Sequence, residues 1–254
     1  MAKIFLVNVG ANTADQSRAR SPLFGDGSFI YVSFPDEGCP RPYYPEAHPY
    51  VADPLHLRTH LDPDWRNLTY GDCCHNARAR ALLNTQIDDI LLFWGLLWRV
   101  PDRSASIWSS SAKIWCLLGA MRVEAILESG QSIADLTISQ QKRVVENEHM
   151  VGNHVEGRRL VRVFLGQQTH SCRFERAVDL EIYLDDGLLR QTIKAKDGRS
   201  LEWHRSPRWN SALRPCRAVL DLTDSEQRKR AIKLSQRIRS LNGRFDMLAG
   251  LLGD

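Results

Sequence analysis

The sequence predicts a single domain of mixed α/β (α+β) build: a mixed central sheet flanked by helices, a long proline-rich loop and a basic C-terminal helix. Three observations carry that expectation. Short apolar runs rich in β-formers recur at Lys3 to Val9, Ile90 to Val100 and Ala112 to Leu127, the pattern of buried strands. The span from Pro35 to Pro63 holds seven prolines, a density that excludes helix and central strand. Beyond Thr223 the apolar residues return at alternating spacings of four and three, which is helix periodicity. With 43% apolar and 25% charged residues over 254 positions, the chain is long enough and apolar enough to bury one core of its own.

Taken in order, Lys3 to Val9 is a strand ending at Gly10, followed by a small, polar loop to Gln16. A second strand is expected from Ser28 to Phe34. In the proline-rich segment, Tyr43, Tyr44 and Tyr50, with Trp65 just beyond, point to an ordered, packed loop. Asp72 to Asn84 reads as a helix with Ala77, Ala81 and Leu82 inward and Arg78 and Arg80 outward. Ile90 to Val100 is a central strand. Ala112 to Leu127 is another, and the Ser-rich turn between them makes the pair a hairpin. A helix from Ser132 to about Val145 comes next, then strands from Leu160 to Leu165 and Arg173 to Leu184. At the end, Thr223-x-x-Glu226 has the form of a capping box. It opens a helix whose stripe is Leu234, Ile238, Leu241, Phe245, Leu248 and Leu252. Two units follow: an α/β body over residues 1–222, and a basic amphipathic helix over 223–254 packed on it.

Charge is concentrated in that last unit. Thr223 to Arg244 carries seven basic residues against two acids, whereas the whole chain is only +4. The plain interpretation is a solvated helix face; the sharper one is a face turned to nucleic-acid phosphates. No apolar stretch approaches the roughly 20 residues needed to span a bilayer. The opening Met1-Ala2-Lys3 runs straight into a strand without a cleavage site, so a cytoplasmic location and reduced cysteines are expected. Cys73-Cys74-His75 lacks the two-residue gap of paired zinc thiolates, so neither metal nor cofactor is expected. Walker loops, zinc-deaminase signatures and nucleophile elbows are missing from the sequence.

The candidate chemistry falls in a few clusters. Asn8 interrupts an apolar strand, where its amide needs partners. With Asn12 and Asp15 it gathers polar groups at a strand's C-terminal end, where open α/β sheets bind ligands. His60-Leu-Asp62-Pro-Asp64-Trp65 and Thr69-Tyr70-Gly71-Asp72 set carboxylates among aromatics, an arrangement that shifts carboxyl pKa values. Asp72 could equally cap the helix starting near Cys73, and Asp62 before proline is also a common turn residue. Asn153 and His154 lie in a connection. Arg173 and Arg176 flank Phe174 and Glu175 on a strand of alternating faces. Arg208 beside Trp209 is a pair that stacks on a base or clamps a phosphate.

The elements KIFLVNVGAN, SPLFGDGSF, HLDPDW with TYGD, ARARALLNTQIDDILLFWGL, NEHMVGNHV, SCRFERAVDL and SPRW together resemble the third type of nucleotide modification associated domain, from Lys3 to about Trp209. The resemblance implies association with systems that make, read or remove modified bases in DNA, often in phage and phage-defence settings. It leaves the mechanism open. The chain departs from the family's pattern at Cys73, where proline follows TYGD, and at Asp88-Asp89, where Gly-Asp precedes the apolar strand.

Two functions are compatible with these residues. The first is a DNA glycosylase-type hydrolase that excises a modified base, with Asn8, Asp62 and Asp72 as catalytic groups. Asn12, Asp15, His60, Tyr70, Arg78, Asn153, His154, Arg173, Arg176, Arg208 and Trp209 would then bind base and backbone. An N-glycosidic bond breaks through an oxocarbenium-like state that needs a negative group or activated water beneath the sugar. The first strand with its Gly-Ala-Asn loop is also similar, over a short stretch, to the first active-site loop of the uracil-DNA glycosylase superfamily. The second function is a PUA-like reader that binds modified bases without cutting. In both, DNA carrying modified bases is the partner, with no membrane and no obligate protein partner.

Overall fold

The computed structural model describes residues 2–10, 18–39, 41–74, 79–150, 161–180, 193–194, 200–201, 216–243 and 245–252. The first strand, β1 (Lys3–Asn8), lies near one side of a seven-stranded mixed sheet. Its parallel neighbour is β6 (Ile90–Arg99), with Asn8 opposite Trp94. A short β2 (Ser21–Leu23) runs parallel to the far end of β6, from Leu97 to Arg99. β6 turns into the antiparallel β7 (Lys113–Glu128), the expected hairpin. β8 (Val161–Asp179) and then β5 (Thr69–Cys73) continue the sheet antiparallel, and β11 (Arg217–Asp221) closes the other side against β1. Two small ladders stand apart, β3 (Phe34–Pro35) with β4 (Thr59–His60), and β9 (Ile193–Lys194) with β10 (Ser200–Leu201).

β6 is the buried axis because both faces of its apolar run are covered. Phe93, Trp94 and Leu97 join the main core with β1, β7 and β8. Leu96, Trp98 and Val100 meet a second cluster built on Tyr43, Ala47, Tyr50 and Leu57 from the proline-rich segment. That segment is ordered as expected, through a 3₁₀ turn over Pro45–Tyr50 and the β3–β4 ladder.

Four local expectations give way to tertiary structure. Residues 28–33 are extended but form only isolated bridges, Leu23 with Phe29 and Ser28 with Arg176. Ser21 Oγ and the backbone of Val32 take up hydrogen bonds that a ladder would have made. Asp72 caps no helix: it is in β5, opposite Arg162. Among the described residues, the predicted helix is reduced to a 3₁₀ turn over Arg80–Asn84. The two strands expected around residues 160–184 are one strand of 19 residues, whose register against β7 shifts at three points. Asp88 stands at φ +70°, which accounts for glycine there in the resembling family. Its carboxylate accepts from Arg122 and Gln167.

Among the described residues, two α-helices flank the sheet. The first, α1 (Ile138–Val144), carries a capping box of Thr137 and Gln140. The second, α2 (Ser225–Leu241), buries Ala231, Leu234, Ser235 and Ile238 against the main core. Its N-cap is Asp224, one residue past the predicted Thr223. Asp224 accepts from the amides of Glu226 and Gln227, while the Thr223 hydroxyl binds Asp221. The helix stops at Asn242, followed by Gly243 at φ +68°, a left-handed stop. Leu241 is exposed, and Phe245 and Leu248 pack from beyond the helix end. Asp224→Ala is expected to cost about 1 kcal/mol and to lower the melting temperature by roughly 2–4 °C, measured by circular dichroism.

Candidate active site

A cleft of about 250 Å³ opens at the C-terminal end of β1. Asn8, Val9 and Gly10 form one wall and Tyr70 to Cys73 of β5 another, while Asp36, His60 and Asp62 enter from the β3–β4 ladder and its exit. His149 completes it from the turn after α1.

Local structure places each group. Asn8 is buried and its amide donates to the Trp94 carbonyl at 3.3 Å, so it ties β1 to β6 as well as lining the cleft. The Asp62 backbone carbonyl accepts from the Tyr31 hydroxyl at 2.8 Å. Its carboxylate oxygens both accept from the Gly71 amide, each at 3.0 Å. The Tyr70 hydroxyl donates to Asp72 Oδ2 at 2.8 Å. Asn147 holds the His149 turn against β5: its amide donates to Thr69 Oγ1, and its Oδ1 accepts the His149 amide. Arg143 secures α1 from behind by donating to the carbonyls of Asn67, Leu68 and Gly166. Gly71 leaves room for the His149 ring, since a Cβ there would lie 2.3 Å from His149 Cδ2.

At the centre, three groups converge. The Nε2 atoms of His60 and His149 are 3.1 Å apart. Asp62 Oδ2 lies 3.2 Å from His149 Nε2 and 3.7 Å from His60 Nε2. Burial works against the ionised Asp62, but His149 and His60 outweigh it and hold the carboxyl below its ordinary range. Burial likewise opposes charge on His149, yet Asp62 lifts its pKa to about 9. His60 moves upward for the same reason, against the same cost. Behind them Glu148 is buried, 2.9 Å from Arg41 Nε, and burial raises its carboxyl pKa.

Of the residues singled out from sequence, the cleft brings together Asn8, His60, Asp62, Tyr70 and Asp72. Asp64 is buried but works as a turn anchor, accepting from the amides of Arg66 and Asn67. Arg173 lines a second pocket of about 360 Å³ with Tyr31, Tyr43, Tyr44 and Trp65. Arg176 lies elsewhere on β8, its backbone joined to Ser28 and Asn242. Asn12, Asp15, Arg78, Asn153, His154, Arg208 and Trp209 are outside the described residues. His149, Asp36 and Glu148 are additions. The sequence signal for two of them is the polar triplet Asn147-Glu148-His149, just ahead of the Asn153-His154 pair. Among the described residues, no helix is long and apolar enough to cross a membrane.

A family model described as nucleotide modification associated domain 3 matches residues 3–230. The match runs past Trp209, where the resemblance in sequence motifs ends, into the first turns of α2. No curated protein and no solved structure matches the chain.

Proposed function

Because the chain belongs to the nucleotide modification associated domain 3 family, we propose that the cleft is the active site of an enzyme that hydrolyses the N-glycosidic bond of a modified base in DNA. One observation carries this reading. The buried carboxylate of Asp62 is gripped by two imidazoles and a backbone amide in the wall of a polar cleft. A site that only recognises a flat base gains nothing from that arrangement, because a buried charge is costly. Hydrolysis does use it. The oxygen of a water bonds to C1′, the base departs with the C–N electron pair, and the water's proton ends on the base. Asp62 with His60 and His149 positions the water, Asp72 supplies negative charge to the oxocarbenium-like sugar, and Asn8 contacts the base. A base in duplex must leave the stack to enter. Removal of modified phage bases would suit a defence role.

A second reading is favoured by the neighbouring pocket. Tyr31, Tyr43, Tyr44 and Trp65 make an aromatic enclosure, with the Arg66 guanidinium 3.8 Å from the Tyr44 ring centroid. Such walls suit a reader that stacks on a base. Mass spectrometry of DNA carrying assorted modified bases, before and after incubation with the protein, separates the two. Free base supports excision. Tight binding with no base released from any substrate leaves the reader.

The exposed Lys229, Arg230, Lys233 and Arg237 of α2 offer a surface for DNA phosphates. Neutralising all four should flatten the dependence of log affinity on log salt, by close to one in slope for each phosphate that is no longer neutralised. Fluorescence anisotropy across a salt series reads this, and an unchanged slope assigns the helix to packing alone.

A further inference from the structure

We propose that His60 Nε2, His149 Nε2 and Asp62 Oδ2 hold a divalent first-row transition-metal ion in the wall of the cleft. The three atoms form a triangle with edges of 3.1, 3.2 and 3.7 Å. Metal–nitrogen and metal–oxygen bonds are about 2.0–2.2 Å, and an ion at that distance from all three atoms sits just outside their plane. Its remaining positions are then open to solvent or substrate. Two imidazoles and one carboxylate with open positions is a donor set that catalytic zinc and non-haem iron centres use. A proton shared by the two imidazoles, with Asp62 paired to both, is the competing arrangement, and the titration with metal separates the two.

The surroundings fit a metal as well. Ligating imidazoles usually turn their second nitrogen to a fixed polar partner, and ligating carboxylates are themselves hydrogen-bonded. Here His60 Nδ1 lies 3.4 Å from Cys39 Sγ and 3.9 Å from Asp36 Oδ2. The Asp62 carboxylate is fixed by the Gly71 amide. Asp36 and Asp72 also line the cleft, and Glu148 is buried. Arg41, paired with Glu148, is the opposing cation. The ligands come from two stretches of chain, His60 and Asp62 from one and His149 from another 89 residues beyond His60. A spacing rule applied to Cys73-Cys74-His75 could not have located them.

The inference deepens the hydrolytic reading and rests on it only for the ion's task. That task is to lower the pKa of a bound water so that hydroxide is available near neutral pH. Its oxygen would add to C1′ as the base leaves and takes up the proton. Binding itself is tested apart from activity. The full-length protein, stripped with chelator, is titrated with Co²⁺ and with Zn²⁺ by calorimetry, and the Co²⁺ form is followed by visible absorption. One Co²⁺ per chain with visible ligand-field bands is expected, together with a rise in melting temperature. His60→Ala and His149→Ala should each weaken binding by on the order of a hundredfold or more, exceeding what removal of an outer-shell partner costs. Circular dichroism verifies that each variant is folded. Cys39→Ala should bind metal within about tenfold of the wild type, the lower end of an outer-shell effect.

Absence of stoichiometric binding, or unchanged binding in a folded His149→Ala variant, overturns the proposal. So does loss of binding in Cys39→Ala with retention in His149→Ala, which would move the ion to Asp36, Cys39 and His60. Metal bound without base release supports the site and retires excision. Base release unaffected by stripping supports excision and overturns the ion's part in it.

Discussion

Asp62→Asn is expected to bind modified DNA with nearly wild-type affinity while releasing base roughly 10²–10⁴-fold more slowly in single-turnover assays. The shape of the side chain survives and its oxygen still accepts from the Gly71 amide, so the β4–β5 connection keeps its anchor. What disappears is negative charge at the point where His60 and His149 meet. That charge holds the attacking water, which matters as the C–N bond breaks and little in the bound ground state, so the rate falls and affinity holds. If Asp62 served only to build the turn, the variant would instead lose stability and binding together, by about 1–3 kcal/mol for a broken buried hydrogen bond. Base release compared with thermal melting separates the two. Undiminished release in Asp62→Asn would remove this residue from catalysis and leave Asp72 as the carboxylate that acts.

Gly71→Ala is expected to produce the next largest effect, through packing. The new methyl carbon would lie 2.3 Å from His149 Cδ2 and 2.9 Å from Asn147 Oδ1, closer than non-bonded atoms tolerate. His149 must rotate or the turn must shift. Overpacking of this kind costs about 1–3 kcal/mol, and a displacement of about 1 Å at a reacting group costs on the order of a hundredfold in rate. His149→Ala removes the obstructing ring, so the stability cost of Gly71→Ala should shrink in that background. Chemical denaturation of both singles and the double variant measures the coupling, expected at about 0.5 kcal/mol or more. An equal cost in both backgrounds would show that the ring is not what fills this space.

Much of the sheet was legible because its evidence is local. β1, β6 and β7 are apolar runs bounded by turn residues, and the Ser-rich connection between Arg99 and Lys113 suits the hairpin that forms. The fate of Ser28 to Phe34 was not legible. Its alternation and β-formers suit a strand, but the neighbouring backbone is met by a side chain, Ser21, and by single bridges. Asp72 has the type and position of a cap, yet pairing of Cys73 with Val161 draws the segment into β5. At the cleft, Asn8, Asp62 and Tyr70 stand out in sequence because each is polar where its neighbours are apolar or turn-forming. His149 carries no such mark. It reaches the cleft through Asn147 bonding to Thr69, 78 residues earlier in the chain, and no spacing rule reports a contact of that range.

That range has a consequence in time. The cleft draws on residues 8–10, 34, 36, 60, 62, 70–73 and 149, and its contacts close only when segments far apart in sequence have met. Closing long loops costs entropy before any contact rewards it, and non-local strand pairing is slow. Neither half of the nascent chain can build this cleft alone. It needs β5 docked on β8 and β1 docked on β6, so no single local stretch of chain can form it.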